Sequence, residues 1–317
     1  MQAAKGGSCG RGVPILCFLV MRNESLRLPA VLNHHRRIGV DRFFAVDNGS
    51  TDGTREFLAA QPDVNLYTVD GSYAESHFGL DWIHPLLDEF GSGRWVLTID
   101  ADELFVYPNC EQVGLRSFCD RLDKSGAGAL CSILLDMYPA GPIAETPYAR
   151  GASLLEASPY FDPGPYDVVK GGPFPGFELR GGPRSRVFWD DKSLPVTPTV
   201  SKVPLVKWNS GYRYISSTHY LRGNPPLANL MGALLHFKFL SDFHARAMSE
   251  AARGEHFDGA REYKMYAAKL AKDGLLSLRY ADSVRYLSSR QLAGFDLREV
   301  LAATTISFKS ADAVDRS

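Results

Sequence analysis

The sequence predicts an α/β protein whose mostly parallel sheet carries helices on both faces, followed by a helical C-terminal extension. Apolar segments of strand length alternate with amphipathic helical segments over the first hundred residues, and helical periodicity dominates after residue 240. Strands that are apolar nearly throughout and separated by helices are typical of a parallel sheet buried on both sides. The composition agrees, because 45% hydrophobic and 22% charged residues are ordinary globular usage and exclude a disordered or collagen-like chain.

Strands and helices are expected to alternate regularly before residue 100. The first helix has Pro29 near its start and Gly39 just past its end, which is the usual placement of both residues. Right-handed crossovers between the strands put all their carboxyl ends on one edge of the sheet. The predicted strands are Pro14–Met21, Arg42–Val46, Val64–Val69 and Arg94–Ile99, and the predicted helices are Leu28–Ile38, Thr54–Ala60 and Phe78–Phe90.

The second half of the chain has a less regular pattern. Residues 139–204 are dense in proline and glycine, which predicts long irregular connections. Before and after this segment, the predicted helices are 109–127, Ser241–Ala252, Asp258–Lys272 and Ser283–Ala293. The predicted strands are Ala129–Leu135, Val203–Trp208 and Arg213–Ser216.

Polar side chains follow each of the four N-terminal strands. Ligands of open parallel sheets bind outside the carboxyl ends of the strands, so these groups are expected to line one site. Taken singly, Asp47 and Asp70 also fit ordinary turn chemistry, and that alternative stays open for each. Their coincidence at four strand ends favours a binding site. The segments are Asn23-Glu24, Asp47–Ser50, Asp70-Gly71 and Asp100–Glu103.

The D-x-D segment Asp100-Ala101-Asp102 is the sharpest local signal. Residues two apart in an extended segment point to the same side, so both carboxylates can face one ligand. Two hard oxygen ligands that leave a coordination sphere unfilled suit Mg²⁺ or Mn²⁺ bound together with substrate phosphates. A calcium loop is disfavoured, because the D-x-D-x-D-G series and its later glutamate are absent.

Four segments resemble the family 2 glycosyltransferases of the GT-A fold, in particular the small bacterial enzymes with an R-N-E start and a late H-F-K segment. They are Met21–Glu24, Ile38–Asp41, Asp47–Thr54 and Trp95–Asp102, and the resemblance covers about residues 14–240. It implies a divalent metal, Mn²⁺ or Mg²⁺, and a nucleotide-sugar donor, expected to be a UDP-sugar. It also implies inverting transfer to a hydroxyl of a saccharide or of a glycan- or lipid-linked acceptor, as in polysaccharide biosynthesis.

The motifs predict the boundaries of the chain's regions, and the resemblance implies the roles of single residues. Residues 1–13 would form a flexible N-terminus, 14–108 the nucleotide-sugar half, 109–240 the acceptor half and 241–317 the helical extension. Asp102 and His236 would bind the metal, with Asp100 contacting the ribose or a metal-bound water. The nucleotide-sugar pocket would be lined by Arg22, Asn23, Glu24, Asp47, Ser50, Asp52, Asp70, Asp100 and Ala101.

Cationic and imidazole groups later in the chain are candidates for diphosphate or acceptor binding. Arg184 and Arg186 follow a Gly-Gly-Pro turn, and arginine offers a fixed fork of donors suited to phosphate. His219 competes with His236 and would otherwise contact phosphate or acceptor, while Lys238 would supply a point charge. Surface arginines and satisfied core histidines are the alternatives. His34 and His35 are interpreted as helix surface.

An inverting enzyme needs a carboxylate to deprotonate the acceptor hydroxyl. Asp136, after the strand that follows D-x-D, is the first candidate, and Glu178 and Asp162 are the others. The chain lacks the E-D pair and Q-x-x-R-W segment of the processive members, so a membrane-embedded polymer synthase is disfavoured.

Two other functions stay open. A sugar-phosphate nucleotidyltransferase should have a glycine-rich basic loop after the first strand, but the chain has no glycine between Met21 and Gly39. The other function that stays open is a catalytically silent carbohydrate-binding module.

The net charge of −1 gives no reason to expect a nucleic-acid partner. Five cysteines without a C-x-x-C pair and no apolar run of spanning length favour a cytoplasmic protein, with peripheral association at the inner membrane face left open.

Overall fold

The computed structural model describes residues 13–189, 197–292 and 296–308. The expected flexible N-terminus therefore lies outside the described residues except for Val13. The strands are β1 (Leu16–Met21), β2 (Arg42–Asp47), β3 (Val64–Thr68), β4 (Trp95–Thr98), β5 (Glu103–Val106), β6 (Ala129–Asp136), β7 (Tyr160–Phe161), β8 (Tyr166–Lys170), β9 (Phe177–Arg180), β10 (Ser201–Lys207), β11 (Arg213–Tyr214), β12 (Leu221–Arg222), β13 (Gly232–His236), β14 (Val284–Arg285) and β15 (Thr305–Ile306).

The helices alternate with these strands in the first half and cluster near the end of the described chain. The α-helices are α1 (Leu28–Ile38), α2 (Thr54–Ala59), α3 (Leu80–Leu86), α4 (Leu115–Lys124), α5 (Leu154–Ala157), α6 (Phe243–Arg253), α7 (Phe257–Lys272) and α8 (Leu297–Ala302). Single π-helical turns cover Leu87–Gly91 and Arg184–Phe188, and 3₁₀ turns cover Ile143–Glu145 and Ser289–Leu292. Among the described residues, every helix is too short or too polar to span a lipid bilayer.

The predicted fold class is confirmed. Eight strands form one mixed sheet in the order β3-β2-β1-β4-β10-β6-β13-β5, in which β10 and β5 run opposite to the other strands. The chain crosses from β1 to β2 to β3 in one direction and then returns over β1 to β4. Because crossovers are right-handed, α3 on the returning connection lies on the face opposite α1 and α2. Both faces of the sheet are therefore covered.

The elements expected before residue 100 are present with small shifts of their ends. Helix α1 has the predicted bounds, and Gly39 ends it in the left-handed conformation at φ 112°. Helix α3 begins after Gly79, which has φ 81° and lies so close to β1 that an added Cβ would be 2.8 Å from a methyl group of Val20. A side chain there would push α3 off the sheet.

After residue 100 the structure differs from the expectations in several places, and β13, which carries His236, is not among the predicted strands. Strand β5, directly after D-x-D, was not expected, because Glu103–Val106 has only four residues and carries no turn signal. The helix expected over 109–127 is shorter, since α4 covers Leu115–Lys124. The helix expected at Ser283–Ala293 is wrong, because the chain forms β14 and a 3₁₀ turn there, and Ala293 lies outside the described residues.

The interpretation of His34 and His35 as helix surface is also wrong. Their side chains are 8% and 0% exposed, because α1 packs against β5 at the edge of the sheet. His34 Nε2 donates to the carbonyl of Phe105 at 2.7 Å, and His35 Nε2 accepts from the N–H of the same residue at 3.2 Å. The two imidazoles thereby pair backbone groups on the outer side of the edge strand.

Candidate active site

The D-x-D segment lies where β4 ends and the chain reverses into β5. Strand β13 packs between β5 and β6 in a register that pairs His236 with both Glu103 and Asp136. The backbone N–H of Phe237 donates to the carbonyl of Asp102 at 2.8 Å, so the end of β13 is fixed to the D-x-D segment. The register therefore brings together three residues that the sequence analysis singled out separately: Asp102, Asp136 and His236.

His236 lies between two carboxylates. Its Nδ1 is 2.6 Å from Asp136 Oδ1, and its Nε2 is 3.4 Å from Asp102 Oδ2. Burial alone would lower the pKa of His236, but the two carboxylates outweigh it and raise that pKa. Burial would likewise raise the pKa of Asp102, but the neighbouring charge of His236 lowers it well below its ordinary value.

The polar network continues away from the sheet edge. Asp136 is 1% exposed, and its second oxygen accepts from Arg184 Nε at 2.7 Å. Arg184 Nη1 lies 3.5 Å from Glu262 Oε1, which also lies 3.2 Å from Lys238 Nζ. Burial would lower the pKa of Arg184, but Asp136 and Glu262 raise it. Arg184 is thus a buried counter-ion of Asp136.

Asp100 points to a different partner from Asp102. Lys202 of β10, only 2% exposed, places its Nζ 2.7 Å from Asp100 Oδ2 and 2.5 Å from Glu103 Oε1. Asp100 itself keeps about half of its side chain exposed, at 51%. Lys202 was not foreseen, because a strand irregularity between Lys202 and Leu205 sets which face its side chain occupies.

A cavity of about 450 Å³ opens over this edge of the sheet. The D-x-D residues, His236 and Lys238 line it, together with Arg22 and Glu24 from the loop after β1. A large share of the wall comes from α6 and α7, which the sequence analysis assigned to an extension beyond the catalytic region. Their lining residues are Arg246, Glu250, Arg253, His256, Phe257, Asp258, Arg261, Glu262 and Tyr263.

Three residues expected in the nucleotide pocket instead join two loops to each other. The N–H of Asn23 donates to Ser50 Oγ at 2.9 Å, and Asn23 Oδ1 accepts from the N–H of Thr51 at 2.8 Å. Asp52 Oδ2 accepts from the N–H of Ser25 at 3.0 Å. These contacts hold the loop after β1 against the loop after β2. None of the three side chains lines the cavity.

The other strand-end carboxylates of the expected pocket also lie outside the cavity lining. Asp47 is fully buried, and its Oδ2 accepts from Arg55 Nε at 3.1 Å while its Oδ1 has no partner. Asp70 is exposed. Arg22, Glu24, Asp100 and Ala101 are the expected nucleotide-pocket residues that do line the cavity.

Several residues expected at the diphosphate or acceptor have structural partners elsewhere. Arg186 forms a two-pronged pair with Asp162, with both distances 2.9 Å, and stacks over Tyr280. His219 Nδ1 lies 2.7 Å from the carbonyl of Ser201, and burial lowers its pKa to about 3. Glu178 is paired with Arg180 and Tyr220. Lys238 is the expected phosphate-binding cation that lines the cavity.

The donor set at the sheet edge fits a metal that completes its coordination with substrate. Across the described residues, no group of three or more His, Cys, Asp or Glu side chains is arranged to hold a metal alone. Asp102 and His236 nevertheless offer a carboxylate and an imidazole to one point at the cavity wall. Mg²⁺ and Mn²⁺ are commonly held by one or two protein ligands together with substrate phosphates. The residues present therefore fit such a metal.

Comparisons with known proteins leave the family open. No family model matches the chain, and no curated protein matches it. Solved structures share a distant likeness. A 4-diphosphocytidyl-2C-methyl-D-erythritol synthase is 13% identical, with 92% of this chain and 100% of that chain covered and a TM-score of 0.32. A provisionally assigned glucose-1-phosphate thymidylyltransferase from Bacillus anthracis is 9% identical, with 91% and 94% covered and a TM-score of 0.31.

A UDP-glucose pyrophosphorylase complexed with UDP-glucose is 8% identical, with 82% of this chain and 88% of that chain covered and a TM-score of 0.27. TM-scores near 0.3 carry no inference about the activity of this chain.

Proposed function

We propose that this protein is a metal-dependent glycosyltransferase that moves a sugar from a nucleotide-sugar donor, a UDP-sugar, to a hydroxyl of a saccharide or glycan acceptor. One observation carries the proposal. The second aspartate of D-x-D and the late histidine lie 3.4 Å apart in the wall of a cavity of about 450 Å³. That volume is within the range of small-molecule sites. The resemblance to family 2 glycosyltransferases pairs the same two residues as metal ligands.

Asp102 and His236 would hold the metal, and the bound cation would neutralise the charge of a diphosphate leaving group. Asp136 fixes the imidazole by accepting from Nδ1, so that Nε2 faces Asp102 and the cavity. Metal-binding histidines commonly have such a carboxylate on their other ring nitrogen. The chain's own residues thus orient the two ligands before substrate arrives.

The charge around the cavity suits an anionic donor. Lys238, Arg246, Arg253 and Arg261 line it with positive charge, and Glu24, Asp100, Glu250 and Glu262 lie among them. A metal and cationic side chains together would offset the charge of a diphosphate, while carboxylates suit acceptor hydroxyls. Inverting transfer requires one carboxylate to take the hydroxyl proton. The lining carboxylates are the candidates for that base.

Calorimetric titration of UDP with and without Mn²⁺ tests the proposal. The unaltered protein should bind UDP only weakly without metal and more tightly by at least about tenfold with it, because metal and phosphates complete one coordination sphere. Asp102→Asn should remove most of this metal dependence and abolish donor hydrolysis. Asp120→Asn, the same substitution at an exposed position of α4, should change neither. Metal-independent binding, or none at millimolar UDP, would reject the proposal.

The products separate this activity from the nucleotidyltransferase alternative. A glycosyltransferase releases a nucleoside diphosphate from its donor, whereas a nucleotidyltransferase running from a nucleoside triphosphate releases pyrophosphate. A screen of nucleotide sugars with Mn²⁺ should yield the nucleoside diphosphate. Pyrophosphate release from a triphosphate and a sugar phosphate would instead assign the alternative.

A further inference from the structure

Helix α6 presents one charged face to the cavity. Glu250 and Arg253 follow Arg246 by four and seven residues, so the three side chains share one face of the helix. All three line the cavity. Arg253 Nη2 lies 3.3 Å from Asn48 Oδ1, in the loop after β2. The face of α6 therefore reaches the strand-end loops as well as the D-x-D segment.

Arg246 occupies the end of this face near the D-x-D segment. One of its terminal nitrogens, Nη2, donates to Glu24 Oε1, and its side chain is 20% exposed. Arg246 and Asp102 both line the cavity, so the guanidinium and the carboxylate face the same space. The other terminal nitrogen, Nη1, is buried and has no hydrogen-bond partner. A buried donor without a partner is costly, so a ligand that accepts from it is favoured.

Two other cations of the cavity already have partners, and Arg22 is exposed to solvent. Lys238 is paired with Glu262 and lies over the rings of Tyr263 and Tyr266. Arg253 is bound by Glu250 and Asn48. Among the cavity-lining cations of the described chain, Arg246 is the one with a buried N–H left unpaired.

We propose that Arg246 binds the diphosphate of the nucleotide donor, at the phosphate further from the nucleoside. This inference rests on the proposed function and assigns a residue to its donor site. A guanidinium presents parallel N–H donors that match phosphate oxygens. In Arg246, Glu24 accepts from Nη2, so Nη1 stays available for a phosphate oxygen. Arg246 shares the cavity wall with Asp102 and His236, and a metal held there would lie near the distal phosphate, which is the reason for assigning that phosphate. Arg246 replaces Arg184 and Arg186, which are paired with Asp136 and Asp162 and do not line the cavity.

Calorimetry on the full chain with Mn²⁺ can isolate the distal phosphate by comparing UDP with UMP, and GDP with GMP. Arg246→Gln should weaken binding of the preferred diphosphate about 10- to 100-fold, since charged hydrogen bonds of this kind are lost. Binding of the matching monophosphate should change by less than about threefold. Arg246→Lys should recover part of the loss because it keeps the charge. Arg121→Gln, the same substitution at an exposed arginine of α4 outside the cavity, should leave both affinities nearly unchanged.

A fold defect is separated from a binding defect by a second variant. Arg246→Gln leaves the buried carboxylate of Glu24 without its partner Arg246. The double variant Glu24→Gln/Arg246→Gln replaces both charged groups by neutral ones. The unfolding transition of this double variant should match that of the unaltered protein. The inference about Arg246 is overturned if the folded variant and the unaltered protein bind the diphosphate equally well. It is also overturned if the variant loses the same affinity for diphosphate and monophosphate. Both outcomes leave the proposed function standing. If the unaltered protein binds none of the four nucleotides, the proposed function falls and this inference with it.

Discussion

Asp136 lies behind His236, away from the cavity, with its two oxygens taken by His236 and Arg184. It is 1% exposed and does not line the cavity, which is a poor position for a base that must reach an acceptor hydroxyl. The contacts favour a positioning residue that holds the imidazole of His236 toward Asp102. Burial raises the pKa of Asp136, but Arg184 and His236 outweigh it, so the carboxyl stays ionised for that task.

Replacing Asp136 by Asn tests the two roles. As a positioning residue, Asp136→Asn should lower Mn²⁺ affinity about 10- to 100-fold, because carboxylates that orient a metal-bound histidine commonly contribute that much. Titration of Mn²⁺ by electron paramagnetic resonance measures it without any substrate. Unaltered Mn²⁺ affinity combined with a large loss of kcat would instead identify Asp136 as the base.

The sequence could single out Asp102 and His236, which the structure brings within 3.4 Å of each other, because their signals are local: a strand followed by D-x-D, and a histidine after an apolar run. It could not identify Lys202 or Arg246. Lys202 reaches Asp100 through an irregular β10, and Arg246 reaches Glu24 across 222 residues of chain. A lysine or arginine on an ordinary strand or helix has no pattern that separates such a position from a solvated surface.

At the scale of single elements, α1 and β5 are joined by two buried histidines. Both imidazoles are neutral in the fold: burial lowers the pKa of His34 to about 4 and that of His35 well below its ordinary value. Protonating His35 would also turn its Nε2 into a donor facing the N–H of Phe105. The unfolded chain has no such obstacle and binds both protons below a pH of about 6.5.

These two histidines should therefore reduce the stability of the protein as pH falls from about 6.5 toward 4. The unfolded state binds more protons in that window, so each buried histidine lowers the free energy of unfolding by about 1.4 kcal/mol per pH unit. His34→Gln keeps a donor for Phe105 and should reduce the slope by about that amount. Urea unfolding at several pH values measures it, with exposed His244→Gln as the control. Identical slopes for His34→Gln and the unaltered protein would contradict this account.

The prediction of helices and strands succeeded where the hydrophobic periodicity extends over many residues and the start and stop signals are clear, as in α1 with Pro29 and Gly39. It failed at β5 and at residues 283–293. Strand β5 is four residues long and exists because β13 pairs with it. Residues 284–285 pair with β7, a contact across more than 120 residues of chain. Such short strands are set by tertiary pairing and have no signal of their own.

At the scale of the whole molecule, the C-terminal helices and the sheet are joined through Arg27, the residue before α1. Its guanidinium is 1% exposed and donates to the carbonyls of Phe237 and Lys238 and to both oxygens of Asp242. Asp242 directly precedes α6, which carries part of the cavity wall. The expected boundary at residue 240 therefore runs through a region where N- and C-terminal parts share both a buried arginine and a cavity.

Arg27→Gln should destabilise the whole molecule by about 3 kcal/mol, because it removes the buried guanidinium that pairs with Asp242 and leaves the buried carbonyl of Phe237 without its donor. Arg36→Gln is the matched control in the following helix. Its pair with Asp63 is 29% and 25% exposed, and such a pair contributes about 1 kcal/mol or less. Urea unfolding followed by both tryptophan fluorescence and circular dichroism measures the two variants. Because Arg27 connects both parts of the chain, the two probes should report one shifted transition for Arg27→Gln. Separate transitions, or a loss no larger than that of Arg36→Gln, would show that the C-terminal helices fold independently of the sheet.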